Sequence, residues 1–208
     1  KIIKIFSDNE KEFDFRGCPI VNGKDFRTTF FKTFSPFDNS INIGNVCFAN
    51  NDCIKSAINT AWEYFPNWNI MPIDQKVEII EKFANLLEEN QEKLLKICTL
   101  EAGKTIINSI NDIREAVDFC YYYSNEAKKL FSSSVKLKGP TGEINELYYE
   151  GKGIYFTISP WNFPIAIFIG QIVGPLLAGN TIIAKPAEQT SIIAYEITKL
   201  FLKAGLPK

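Results

Sequence analysis

From Asn51 to Phe131 the apolar positions recur every three or four residues, the spacing of helices that bury one face. Ile54, Ala57, Ile58, Ala61, Trp62 and Phe65 share one side of a first run, which Pro66 is expected to stop. A second helix is predicted from Asp74, with Val77, Ile80, Ala84 and Leu87 inward and charges opposite. A third, from about Gln91, buries Leu94, Leu95 and Cys98 and ends at Gly103. A longer helix covers 106–131 and carries Ile110, Ile113, Val117, Cys120 and Tyr121. The piece SSSVKLKGPTGE reads as a loop, and EINELYYE as a loosely alternating strand with one wet face.

After Gly153 the pattern changes to two apolar strands, GIYFTIS and NTIIAKP, joined by a buried helix over 163–178. A further helix runs from Ser191 to Ala204, with Gly205 as its C-terminal cap. Strands joined by a helical crossover predict a parallel α/β sheet, whose ligands bind at the carboxyl ends of the strands. Those ends are PWNFP and AKPAEQT, polar where the strands are not. Residues 1–50, aromatic and rich in asparagine, read as loops and short strands.

Composition narrows the chemistry. In 208 residues, 23 Lys and Arg nearly balance 24 Asp and Glu, so no polybasic surface points to nucleic acid. The chain has no histidine, which removes the usual general base and the commonest metal ligand. The five cysteines are scattered without a C-x-x-C pair, so neither zinc nor a disulfide framework is expected, and a reducing cytoplasm is the simplest compartment. The first residues lack the long apolar core of a signal peptide. No residue between Lys152 and Lys185 is charged, a length that could span a bilayer. Pro160, Pro164, Pro175, Asn162, Gln171 and Asn180 cut that stretch into short pieces, so a buried strand-helix-strand is expected and no transmembrane span.

Asn162, held between two prolines, has two readings. Its side chain can cap the following helix, or its NH2 can face an oxygen that turns negative during attack on a carbonyl. Lys185 and Glu188 after the second strand are either an exposed pair or a ribose-binding pair. EAGKT at 101–105 resembles the tail of a phosphate-binding loop, but Cys98 stands where that loop needs glycine and the preceding segment is helical. Gly103 is therefore read as a helix terminator. Arg114, Glu115 and Asp118 fit a solvated face with local ion pairs.

The stretches LEAGKT (100–105), DIREAVDFCYYY (112–123), GPTGEINEL (139–147), ISPWNFPIAIFIGQI (158–172) and LLAGNTIIAKPAEQT (176–190) together resemble the aldehyde dehydrogenase superfamily. Within it they are most similar to the glutamate-semialdehyde (pyrroline-5-carboxylate) dehydrogenase module of bifunctional proline-utilization proteins. The resemblance implies an N-terminal part of that fold: loops and strands over 1–50, the helical part of an NAD-binding domain over 51–142, an oligomerisation-type strand over 143–152, and the first βαβα of an incomplete NAD-binding sheet over 153–208. It implies NAD as cofactor, an aldehyde as substrate, and subunit association into a homo-oligomer. It assigns Asn162 to the oxyanion hole, Glu115 and Phe163 to the substrate, and Ile158, Ser159, Pro160, Trp161, Lys185 and Glu188 to the cofactor.

In the family reaction a cysteine thiolate attacks the aldehyde, hydride passes to NAD, and a glutamate-activated water hydrolyses the thioester. None of the five cysteines matches the context of the nucleophile, and the general-base glutamate and glycine-rich cofactor loop are not matched either. The chain is therefore expected to need the remainder of the domain as its partner and not to turn over alone. Incubation with NAD and glutamate semialdehyde tests this, and clear NADH production would contradict it. A non-catalytic remnant of a split gene, and an enzyme for a different aldehyde, are the other readings. A sheet with an open edge and an uncovered apolar helix face is also expected to self-associate or to adopt a rearranged fold.

Overall fold

A computed structural model describes residues 12–208, so part of the loop-and-strand region expected over 1–50 lies outside the described residues. Five strands come first: β1 (Glu12–Gly17), β2 (Ile20–Val21), β3 (Lys24–Asp25), β4 (Phe30–Ser35) and β5 (Asp38–Cys47). Four helices follow, α1 (Asn51–Ile70), α2 (Ile73–Glu89), α3 (Gln91–Ala102) and α4 (Ile106–Phe131). Then come β6 (Val135–Leu137), β7 (Asn145–Leu147), β8 (Ile154–Ile158), α5 (Ala166–Leu177), β9 (Thr181–Lys185) and α6 (Ser191–Ala204). β5 lies between β1, which is parallel to it, and β4, which is antiparallel. β8 and β9 pair in parallel with α5 as the crossover, the predicted unit.

The helix starts and stops follow local chemistry. The Asn50 side chain accepts from the Cys53 N–H at 2.9 Å and starts α1. Gly103, at φ 65°, ends α3 in the left-handed region that glycine enters without penalty. Thr105 then caps α4 through the Asn108 N–H. Gly44 is the second glycine with a steric task. It stands at φ 152°, and a Cβ there would run into the Phe15 carbonyl of β1.

The core lies among α2, α3, α4, α5 and α6. Val77, Ile80, Ala84 and Leu87 of α2 face inward as their spacing predicts, as do Leu94, Leu95 and Cys98 of α3. Phe83 stacks on Phe201 with centroids 3.6 Å apart, locking α2 to α6. Asn180 fixes the start of the parallel pair, accepting from the N–H groups of Lys152 and Gly153 and donating to the Pro175 carbonyl.

Several expectations are corrected. α1 continues through Pro66 to Ile70. The turn after the proline is held because Trp68 is buried and its indole donates to the Leu176 carbonyl at 2.9 Å, so packing offsets the lost backbone bond. The face of α1 expected inside is largely outside: Ile54 and Ile58 are exposed, and Trp62 is 62% exposed. Tyr121 also faces out. The loop over 132–143 contains β6, which pairs with a β7 of only Asn145–Leu147. β8 is not a buried strand, since Tyr155, Phe156 and Ile158 are exposed. Among the described residues β9 is its one neighbour. Periodicity marks an apolar face without saying whether this chain covers it.

Candidate active site

β8 and β9 end level, with Ile158 opposite Lys185 in the register. The Ser159 N–H donates to the Lys185 carbonyl at 3.2 Å and carries the ladder one residue further. The chain then leaves β8 through Pro160, Trp161, Asn162, Phe163 and Pro164 before α5 begins. Ser159 is buried, whereas Trp161, Asn162 and Phe163 reach the surface. Beside this loop, Lys185 closes β9 and Glu188 opens a single 3-10 turn over Glu188–Thr190. Their side chains pair at 3.2 Å while remaining 49% and 62% exposed. The Glu188 carboxyl is held below its ordinary range, first by its own backbone N–H and then by the Lys185 ammonium.

The cap reading of Asn162 does not hold. α5 has Ile165 at its cap position with no side-chain bond from its own segment. The first free N–H of that helix, on Ala166, is taken instead by Asp112 Oδ1 of α4, at 2.7 Å. The Asn162 amide forms no hydrogen bond among the described residues, and only its backbone carbonyl is engaged, by Lys104 Nζ at 2.8 Å.

Lys104 and Asp112 carry no individual signal in the sequence, yet they pair beside this loop. The ammonium bonds Asp112 Oδ2 at 2.8 Å and lies 4.2 Å from the centre of the Phe163 ring. Asp112 is fully buried and the Lys104 side chain only 11% exposed. Glu101 performs a parallel task one corner away. Its two oxygens accept from the N–H groups of Ile192 and Ile193, at 2.7 and 2.8 Å, at the start of α6, which has no cap of its own. Burial pushes the Glu101 carboxyl up to about 8, against the downward pull of those two donors. Glu101 thus secures the start of α6, and Lys104 the loop before α5, whose first N–H is taken by Asp112. A signal existed for Glu101, because an acid in the last turn of a helix opposes the macrodipole unless it serves something else.

Glu115 lies one turn along α4 from Asp112, exposed. Further along, Phe119 and Tyr123 with Ile167, Gly170 and Gln171 of α5 line a shallow groove of about 230 Å³. Burial raises the thiols of Cys18, Cys53, Cys98 and Cys120, and Cys47 is buried. A raised thiol carries little thiolate at neutral pH. The polar, solvent-facing end of β9 and the surface loop beyond β8 fit a nucleotide cofactor. A carboxylate there can accept ribose hydroxyls, and exposed Ile158 offers an apolar face beside it.

The profile of the aldehyde dehydrogenase family matches residues 21–208. The chain belongs to that family. It is 32% identical over 206 residues to 1-pyrroline-5-carboxylate dehydrogenase of Staphylococcus aureus (strain MW2), covering 99% of this chain and 40% of that protein. It is 40% identical over 154 residues to the bifunctional protein PutA of Escherichia coli (strain K12), covering 74% of this chain and 10% of PutA. A crystal structure of 1-pyrroline-5-carboxylate dehydrogenase from Thermus with bound NAD superposes with a TM-score of 0.91 at 30% identity, over 99% of this chain and 39% of that one. The chain thus spans about two fifths of the length of the curated dehydrogenases it matches. No helix among the described residues is long and apolar enough to cross a membrane.

Proposed function

We propose that this chain supplies the cofactor-binding strand ends and the oxyanion donor of an NAD-dependent dehydrogenase that oxidises glutamate semialdehyde to glutamate, the second step of proline breakdown, in the cytoplasm. The observation that carries the reading is the Asn162 amide, uncommitted and solvent-facing on a loop level with the Lys185–Glu188 pair. An amide with no partner of its own can donate to an oxygen that becomes negative, and one such donor lowers the barrier by roughly 3 kcal/mol in known oxyanion holes.

Lys185 and Glu188 hold the adenosine ribose, and the backbone of Ile158, Ser159, Pro160 and Trp161 forms the wall against which the cofactor lies. NAD, when bound, supplies the hydride acceptor. Phe163 packs on the aliphatic part of the aldehyde, and Glu115 stands as an acid near its approach. The attacking thiol comes from outside these 208 residues, in keeping with the burial of the cysteines here. Residues 143–152 serve subunit association. The β6–β7 arm exposes Val135, Leu137, Ile144 and Tyr148, apolar groups suited to an interface.

The test joins this chain to the matching C-terminal part of the Staphylococcus aureus relative and follows NADH formation. Glutamate semialdehyde is expected to be oxidised, with Glu188→Gln raising KM for NAD and leaving kcat nearly unchanged. A joined enzyme that oxidises other aldehydes but not this one would remove the substrate assignment.

A further inference from the structure

The loop that carries Asn162 is poor in anchors of its own. Pro160 and Pro164 fix their own φ angles but bring no N–H, and the Asn162 side chain is unbonded among the described residues. Its ends are held by the Ser159 N–H on the Lys185 carbonyl and by the Phe163 carbonyl, which accepts from the Ile167 N–H, and its middle is held from the α3–α4 corner. Lys104 Nζ donates to the Asn162 carbonyl at 2.8 Å, and its charge faces the Phe163 ring at 4.2 Å. The same ammonium is held by Asp112 Oδ2 at 2.8 Å, while Oδ1 of that carboxylate takes the Ala166 N–H at 2.7 Å. One buried ion pair therefore grips the loop at residue 162 and at the first turn of the helix that follows it.

We propose that Lys104 and Asp112 are positioning residues that set where the Asn162 amide points. Lys104 fixes the backbone of the residue whose side chain must be aimed, and Asp112 fixes both Lys104 and the start of α5. A buried ion pair is a weak source of stability, because desolvation offsets most of its attraction, whereas its directional bonds hold a geometry that apolar packing would leave looser. A misplacement of about 1 Å in a reacting group can cost on the order of a hundredfold in rate. The catalytic meaning rests on the reading of Asn162 given above; the positioning itself does not.

Hydrogen exchange on the 208-residue chain separates the two. Lys104→Met keeps the aliphatic stem and removes the donors. Lys104→Arg restores a donor to both partners. The double variant Lys104→Met with Asp112→Asn leaves no uncompensated charge, which keeps the test available should Lys104→Met alone not fold. Lys104→Met or the double variant is expected to speed exchange of the 159–168 segment about tenfold or more while the α2 segment stays protected, with Lys104→Arg close to the parent. An unchanged 159–168 segment in a folded variant overturns the proposal. So does acceleration of every segment alike in both variants, since that marks a general structural role. If the segment loosens as expected while Asn162→Ala leaves turnover of the joined enzyme intact, positioning stands and the oxyanion reading falls.

Discussion

Glu101 occupies the last turn of α3, where a helix end is already negative, and it is nearly sealed from water. Its reward is the start of α6, where it takes two N–H groups. Burial moves its carboxyl from an ordinary 4.5 up to about 8. Between those values the folded chain holds a proton that the unfolded chain has released. The contribution of Glu101 is therefore fully present below about pH 4.5 and is lost as pH rises toward 8. We expect urea midpoints of the parent to fall across that window by an amount that Glu101→Gln removes. The variant should also be less stable by about 1–3 kcal/mol at its best pH, because an amide can accept but not from both donors as a carboxyl does. Equal pH slopes in parent and variant would contradict this. At this scale the sequence was partly readable. Asn162, Lys185 and Glu188 announce themselves as polar groups at apolar strand ends. Asp112 did not, because a buried carboxylate whose partners lie 8 and 54 residues away leaves no local pattern.

Elements were more legible than their surroundings. The helices α2, α3 and α4 and the β8–α5–β9 unit follow from spacing and caps, since those signals are local. The failures all concern what an element meets in space. Pro66 does not end α1, because Trp68 two residues later is buried and bonded to Leu176. Trp68→Ala is expected to cost about 3–5 kcal/mol and to fray residues 66–70 first, read as local exchange ahead of global unfolding. If those residues stay protected, the helix persists past its proline for a reason other than Trp68. β8 reads as a buried strand in its residues but exposes Tyr155, Phe156 and Ile158. Strand composition records a strand's place in a finished sheet, and only one neighbour lies beside β8 among the described residues.

On the scale of the molecule, Ile54, Ile58 and Trp62 on α1 and Phe156 and Ile158 on β8 add to the apolar surface this chain presents, with the β6–β7 arm a further exposed element. Large apolar surfaces on soluble chains are interaction surfaces or aggregation hazards. The 208-residue chain is expected to self-associate, with light scattering giving a mass above 23.6 kDa. Phe156→Ser combined with Trp62→Ser should shift it toward the monomer, and a compact monomer of the parent would contradict the expectation. Steady-state kinetics of the joined enzyme carrying Asn162→Ala test the oxyanion role of Asn162 most directly. Loss of a donor that acts on the developing oxyanion should lower kcat by roughly a hundredfold to a thousandfold while KM for NAD hardly changes. A kcat equal to that of the parent would show that the amide between the two prolines does not stabilise the reaction.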